Sequence, residues 1–184
     1  MIYSINLKNW NDLQENVCSL LCEVGISAET NKALNTPRGK TNIDVYGIDS
    51  KSVDQISYII ECKFWNKKVP QTVVHSFMTV MSETGGNIGY IISNKGFQKG
   101  AIEYMRNTNI TGLTFLDFQK KYFPIWFKDY FTKVIYDTLD SLIQYTEPIN
   151  SRRQRYFSQL SHSKVYEFTK LFGEYENYAF FCHW

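Results

Sequence analysis

Glu61 and Lys63 stand two residues apart in Ser57-Tyr58-Ile59-Ile60-Glu61-Cys62-Lys63, a largely apolar run that reads as a strand. Alternate residues of a strand point to opposite faces, so both charges project from the same side, at the end of a segment that should be buried. Burying a carboxylate and an ammonium is costly unless they pair or bind an ion. A third charge has a similar setting: Asp44, in Asn42-Ile43-Asp44-Val45-Tyr46, lies between apolar neighbours expected to face the opposite side. If the two strands form a hairpin, Asp44 and Glu61 converge. Two convergent carboxylates suit a hard divalent cation, Mg²⁺ with Mn²⁺ as a substitute, bound through oxygens with several waters retained. A neighbouring lysine can orient or help deprotonate an attacking water, or stabilise charge on a pentacovalent phosphorus. The metal lowers the pKa of bound water and screens a phosphate. These are the parts needed to hydrolyse a phosphodiester.

The spacing alone carries no weight. With each charged type at roughly 6% of residues, Glu-x-Lys arises by chance about 0.7 times in a chain of this length. A second acid-x-lysine triplet, Asp49-Ser50-Lys51, lies in a polar turn where solvated charges need no explanation. Context separates the two: Glu61-Cys62-Lys63 ends a buried strand, with a strand aspartate upstream and a helix downstream. A buried Glu61–Lys63 ion pair with no catalytic task is the simpler structural alternative.

The elements that would position these residues follow from periodicity. Trp10, Leu13, Val17, Leu20, Leu21 and Val24 recur at helical spacing across residues 8–24, and Gly25 ends the helix. Residues 31–42 read as a polar loop, Asn42 to Ile48 as a strand, Ser50 to Asp54 as a turn, and Ile56 to Cys62 as a second strand. Val69-Pro70 starts a helix whose stripe is Val73, Val74, Phe77, Val80 and Met81, stopped by Gly85-Gly86. Asn87 to Ser93 is a strand, about Phe97 to Asn107 a helix, and Gly112 to Leu116 a short strand. Strand, helix, strand, helix, strand from Glu61 to Leu116 implies a parallel portion of sheet flanked by helices. After Asp117 the character changes: residues 126–145 and 153–172 read as helices rich in Tyr, Phe and Leu, taken as core or a partner surface rather than a base-stacking platform.

Composition bounds the rest. The 184 residues fit one domain, read as 1–118, with a helical extension at 119–184. No apolar run reaches the roughly 18 residues that cross a bilayer, and the start lacks the features of a signal peptide, so a cytoplasmic protein without membrane attachment is expected. Cys18, Cys22, Cys62 and Cys182 form no regular framework and read as small buried hydrophobes; a zinc site of Cys18 and Cys22 with Cys182 or His183 is the less favoured alternative. The net charge of +2 says little, but Lys32, Arg38 and Lys40, then Lys67 and Lys68, then Arg152, Arg153 and Arg155 form basic patches of the kind a phosphate backbone attracts.

The segment from Arg38 to Asp117 resembles the catalytic domain of Mrr-type restriction endonucleases, within the PD-(D/E)xK nuclease superfamily. The resemblance rests on Asn42-Ile43-Asp44-Val45-Tyr46-Gly47, on Ile60-Glu61-Cys62-Lys63, and on the helix from Val69 to Phe77. Gly89-Tyr90-Ile91-Ile92-Ser93 followed by Gly96-Phe97-Gln98-Lys99-Gly100-Ala101 completes it. It implies an α/β fold, a restriction-endonuclease-like mixed sheet of four or five strands flanked by helices, with an aromatic-rich helical C-terminal region. It also implies a Mg²⁺-dependent endonuclease acting on DNA, in restriction or antiviral defence. Asp44 and Glu61 would be metal ligands, the Cys62 carbonyl would complete the metal shell, and Lys63 would be the catalytic lysine. The family often carries another acid in its first helix: Glu15 is the first choice, with Gln14 and Glu23 as alternatives. Gln71, opening the helix after the site, is expected either to touch a water or phosphate or to be an ordinary helix-start residue. His75 is expected to be a hydrogen-bonded residue packed near the sheet rather than a general base, and Ser93, Lys95 and Gln98 either bind a phosphate or form a turn. A single site cuts one strand, so double-strand cleavage implies a homodimer or two events, and residues 118–184 could dock a protein partner. The alternatives are a catalytically silent binding or assembly module of the same fold, and a nuclease for RNA or branched DNA.

Overall fold

Helix α1 (Trp10–Glu23) begins where the Asn9 side chain accepts the Asp12 N–H at 2.9 Å and ends before Gly25, which adopts φ +88°. Its apolar stripe of Leu13, Val17, Leu20 and Leu21 is fully buried, which fixes the helix against the sheet. The computed structural model describes residues 1–138 and 151–181. They fall into two units, Met1–Trp126 and Phe127–Trp184.

In the first unit five strands lie side by side in chain order: β1 (Ser27–Thr36), β2 (Gly39–Asp49), β3 (Ile56–Lys63), β4 (Ile88–Ser93) and β5 (Ile110–Thr114). β1, β2 and β3 pair antiparallel, while β3, β4 and β5 pair parallel. Parallel neighbours need crossovers, supplied by α2 (Gln71–Thr84) and α3 (Lys99–Met105), and α4 (Phe115–Ile125) follows β5. The sheet is therefore covered on both faces. One core joins Leu13, Val17, Val45, Ile60, Cys62, Tyr90 and Phe118 under α1 and α4. The other joins Ile43, Ile59, Val74, Phe77, Met81 and Ile91 under α2 and α3. This is the expected mixed α/β sheet, with five strands.

Two boundaries differ from the sequence reading. Residues 31–42 are not a loop but the turn end of a long hairpin, β1 and β2, turned at Pro37-Arg38. β1 is an edge strand whose side chains alternate between exposed and partly buried, so its polarity reflects a wet edge rather than irregular chain. The last strand stops at Thr114 because that residue caps α4, its hydroxyl accepting the Asp117 N–H at 3.1 Å.

In the second unit, residues 127–138 are helical, π-helical as far as Phe131, and helices Ser151–Phe157 and His162–Phe181 follow. Phe168 packs edge-on to Phe157 at 5.1 Å and stacks with Phe172 at 6.4 Å. Among the described residues of this unit Tyr156, Tyr166 and Leu171 are exposed, whereas Phe157, Phe168 and Phe172 are half-buried. Residues 139–145 of the expected helix, Cys182 and His183, and the side chains of Arg152 and Arg153 lie outside the described residues.

Candidate active site

Three strand positions and one cavity define the site. Glu61 and Lys63 project from the C-terminal end of β3 toward α2, and line a cavity of about 260 Å³ with Trp65, Thr72, Val73 and Ser76. Their side chains hydrogen-bond to each other and are 26% and 19% exposed respectively. Cys62, between them, points into the opposite core and is buried. The period-2 reading of this strand holds residue by residue.

Asp44 reaches the site differently. Ladder pairing between β2 and β3 runs from Asp49↔Ile56 to Val45↔Ile60 and stops there. Beyond it the Asp44 carboxylate takes over: its Oδ2 accepts the Cys62 N–H at 2.7 Å. The neighbours of Asp44 do not share a face as expected. Ile43 joins the core under α2 and Val45 the core under α1. On β1, opposite this point, Asn31 takes φ +55°, and Asn31 and Asp44 are the one facing pair that does not bond in an otherwise continuous β1–β2 register. The break in alternation turns Asp44 toward β3. Because the N–H and C=O of a strand residue point to the same side, the Cys62 carbonyl faces the gap where Asp44 sits.

The electrostatics agree with this geometry. Burial raises the Asp44 carboxyl above its ordinary range, against the opposing pull of the Cys62 N–H, Lys63 and the Gln14 amide. Burial and then the Asp44 charge raise Glu61, with Lys63 opposing. Burial pushes the Cys62 thiol well above its usual value, so it is no nucleophile. Two desolvated carboxylates, with the Asp44 charge raising Glu61, share a single lysine.

Around the first helix the outcome differs from the first choice. Glu15 is exposed, and Glu23 accepts from the Trp126 indole N–H at 2.6 Å. Gln14, one residue earlier and so about 100° round the helix, is fully buried on the sheet side. Its amide is near enough to lower the Asp44 carboxyl, yet neither polar atom has a hydrogen-bond partner. A buried amide left unpaired costs roughly 1–3 kcal/mol.

Other singled-out residues fall outside the cavity. Gln71 is exposed and lies against α3, its Oε1 3.0 Å from where a Cβ on Gly100 would sit. His75 is exposed rather than packed near the sheet, its ring 4.8 Å from that of Tyr104. Ser93 forms a turn: its hydroxyl donates to the Gly96 carbonyl and accepts the Lys95 N–H, both at 3.2 Å. The Gln98 N–H donates to the Val69 carbonyl at 3.0 Å. Cys18 is partly buried, its thiol pushed up to about 12 by burial and then by Cys22. Trp65 went unnoticed in the sequence, although its place two residues after Lys63 in Phe64-Trp65-Asn66-Lys67-Lys68 was a usable signal.

The donor set fits a divalent cation. The Cys62 N–H and the Lys63 ammonium take one oxygen from each carboxylate, leaving Asp44 Oδ1 and Glu61 Oε2. The Gln14 amide lies near Asp44 from the α1 side of the sheet, the side opposite to that on which Glu61 and Lys63 project. Among the described residues no three His, Cys, Asp or Glu side chains cluster, so carbonyl, amide or water oxygens must complete any such shell.

A restriction endonuclease family model, Mrr_cat, matches residues 6–120. No curated protein matches the chain. One solved structure, described as a protein of unknown function, AF1548, is 24% identical with a TM-score of 0.48, the match covering 56% of this chain and 58% of that one. No helix among the described residues is long and apolar enough to cross a membrane.

Proposed function

This chain belongs to the restriction endonuclease family matched over residues 6–120, and from that premise we propose that it is a divalent-metal-dependent endonuclease that hydrolyses DNA phosphodiester bonds in restriction or defence against foreign DNA. The observation that carries this reading is the juxtaposition, at the open end of β3, of two carboxylates raised by burial, Glu61 also by the Asp44 charge, with a lysine hydrogen-bonded to Glu61. Burying three charges there without a task would cost stability for nothing.

Asp44, Glu61 and the Cys62 carbonyl would hold the ion, with Gln14 facing it directly or through a water. Bound there, Mg²⁺ supplies a water of lowered pKa and positive charge against the phosphate. Lys63 holds its ammonium beside Glu61 at the cavity wall, where it can orient the attacking water or neutralise charge developing on the phosphoryl oxygens. The apolar layer on both faces of β3 keeps the carboxylates rigid and limits water on the side away from the cavity.

The test is cleavage of supercoiled plasmid DNA with Mg²⁺, Mn²⁺ or EDTA by the wild type, Asp44→Ala and Lys63→Ala. Metal-dependent nicking or linearisation, lost in both variants, is the expected result. Cutting that survives both substitutions overturns the site, and no cutting by folded wild type favours the silent binding module.

A further inference from the structure

The segment after β3 is pinned at both ends and free between them. Phe64 packs against the core under α1, and Val69 is fully buried. The Val69 N–H donates to the Gly96 carbonyl at 2.9 Å, and its carbonyl accepts the Gln98 N–H at 3.0 Å. What these anchors present is Trp65-Asn66-Lys67-Lys68. Trp65 is half-buried and belongs to neither hydrophobic core, so packing does not account for an indole at this position. Its ring is shared by two cavities: the cleft with Glu61 and Lys63, and a neighbouring one of about 500 Å³ with Phe64, Asn66 and Lys67. Two ammonium groups approach it, Lys63 at 5.4 Å and Lys67 at 5.7 Å from the centroid.

An aromatic face beside a phosphodiester-cutting centre, flanked by a cation that faces solvent, has the composition of a single-strand contact: the ring stacks a base and the lysine meets a phosphate. A base inside a duplex cannot offer its face, because its neighbours cover it. We infer that Trp65 is the stacking platform for an unpaired nucleobase next to the phosphodiester to be cut, with Lys67 on an adjacent phosphate, so that the preferred substrate is DNA with single-stranded character at the cleavage point. This rests on the nuclease reading above and narrows its substrate.

The experiment is binding of a 12-nucleotide oligothymidylate, and of a blunt duplex of mixed sequence, to the full chain in EDTA by fluorescence anisotropy (the probe length is about the reach of one such groove). Stacking contributes about 5- to 150-fold per base, so Trp65→Leu should weaken single-strand binding about tenfold or more and duplex binding less than about twofold. Trp65→Phe should keep single-strand affinity within about threefold while abolishing the quenching of tryptophan fluorescence seen in the wild type. Lys67→Gln should lower the dependence of log affinity on log salt by about 0.7 for the single strand. Unchanged single-strand affinity in Trp65→Leu, equal losses on both probes, or quenching that persists in Trp65→Phe would each overturn the inference. The Trp65→Phe arm decides if Trp65→Leu fails to fold. Since no metal is present, the outcome is separate from catalysis: wild type that cuts plasmid without Trp65-dependent binding overturns only the stacking role, and Trp65-dependent binding without cutting overturns only the nuclease reading.

Discussion

Two acid-x-lysine triplets end consecutive strands of this sheet, and they behave as different chemical objects. Asp49-Ser50-Lys51 closes β2. There Asp49 Oδ1 accepts the N–H groups of Lys51 and Ser52 at 3.0 and 3.3 Å, an aspartate-capped turn. Lys51 reaches over Gly25 at the end of α1, where a Cβ on the glycine would lie 2.7 Å from its Nζ, and where helix carbonyls welcome a cation. Each charge is satisfied locally and separately. Glu61-Cys62-Lys63 closes β3, at the other end of the same ladder, where β2 has turned away and β4 runs parallel. There the acid and lysine line one cavity, and the Asp44 carboxylate, outside that lining, is near enough to raise Glu61. The difference teaches that the triplet matters only where the sheet leaves its charges under-compensated. In open α/β sheets that place is the C-terminal end of parallel strands.

The sharpest break of this comparison is catalytic. Asp44→Ala and Lys63→Ala should each lower plasmid nicking by about a thousandfold or more, on the order of 4 kcal/mol in the transition state, while Asp49→Ala and Lys51→Ala should stay within about twofold. Equal effects at both triplets would abolish the distinction. Next in size is Gln14→Leu, which removes a buried unpaired amide. It should stabilise the metal-free protein by about 1–2 kcal/mol in urea unfolding, and reduce the stabilisation that Mg²⁺ confers; a destabilised variant would mean that the amide is satisfied. Mg²⁺ itself at ten times its dissociation constant should stabilise wild type by about 1.4 kcal/mol, a rise of several degrees in Tm, and Asp44→Ala hardly at all. At the other triplet Asp49→Ala should cost about 1 kcal/mol of stability by freeing the two turn N–H groups, with no change in the Mg²⁺ response.

The smallest effect is on pH dependence. Asp44 and Glu61 both have raised pKa values in the folded chain, so the folded state binds their protons more tightly than the unfolded one does. Stability from this pair is therefore highest below the ordinary carboxylate pKa, and falls as pH rises from there through the raised values. Metal-free Glu61→Gln should flatten that fall in urea midpoints measured across the acidic range, whereas Asp49→Asn should leave it as in wild type. A fall as steep in Glu61→Gln as in wild type would mean that the carboxylate is compensated after all.

Much of this architecture was legible in the residues. The apolar stripe of α1, the alternation in β3 and the strand-helix-strand-helix-strand order that makes β4 and β5 parallel to β3 all come from short-range periodicity. β1 escaped because an edge strand half in water carries no apolar pattern. That Gln14 rather than Glu15 faces the sheet escaped because adjacent helix positions differ by about 100°, finer than counting back from Gly25 can resolve. Trp65 escaped because an aromatic next to a strand end reads as core until its burial is known.

Residue type and local spacing by themselves determined that this chain forms an α/β sheet, and that Glu61 and Lys63 share a face of β3, because a strand's period of two is a property of its backbone. Only the tertiary structure decided that Asp44 joins them. That depended on where the β2–β3 ladder ends and on the left-handed backbone of Asn31 facing Asp44 across β1, where Ile43 and Val45 part between two cores and the intervening carboxylate meets the Cys62 N–H. Long-range pairing sets that register, and no stretch of neighbouring residues encodes it.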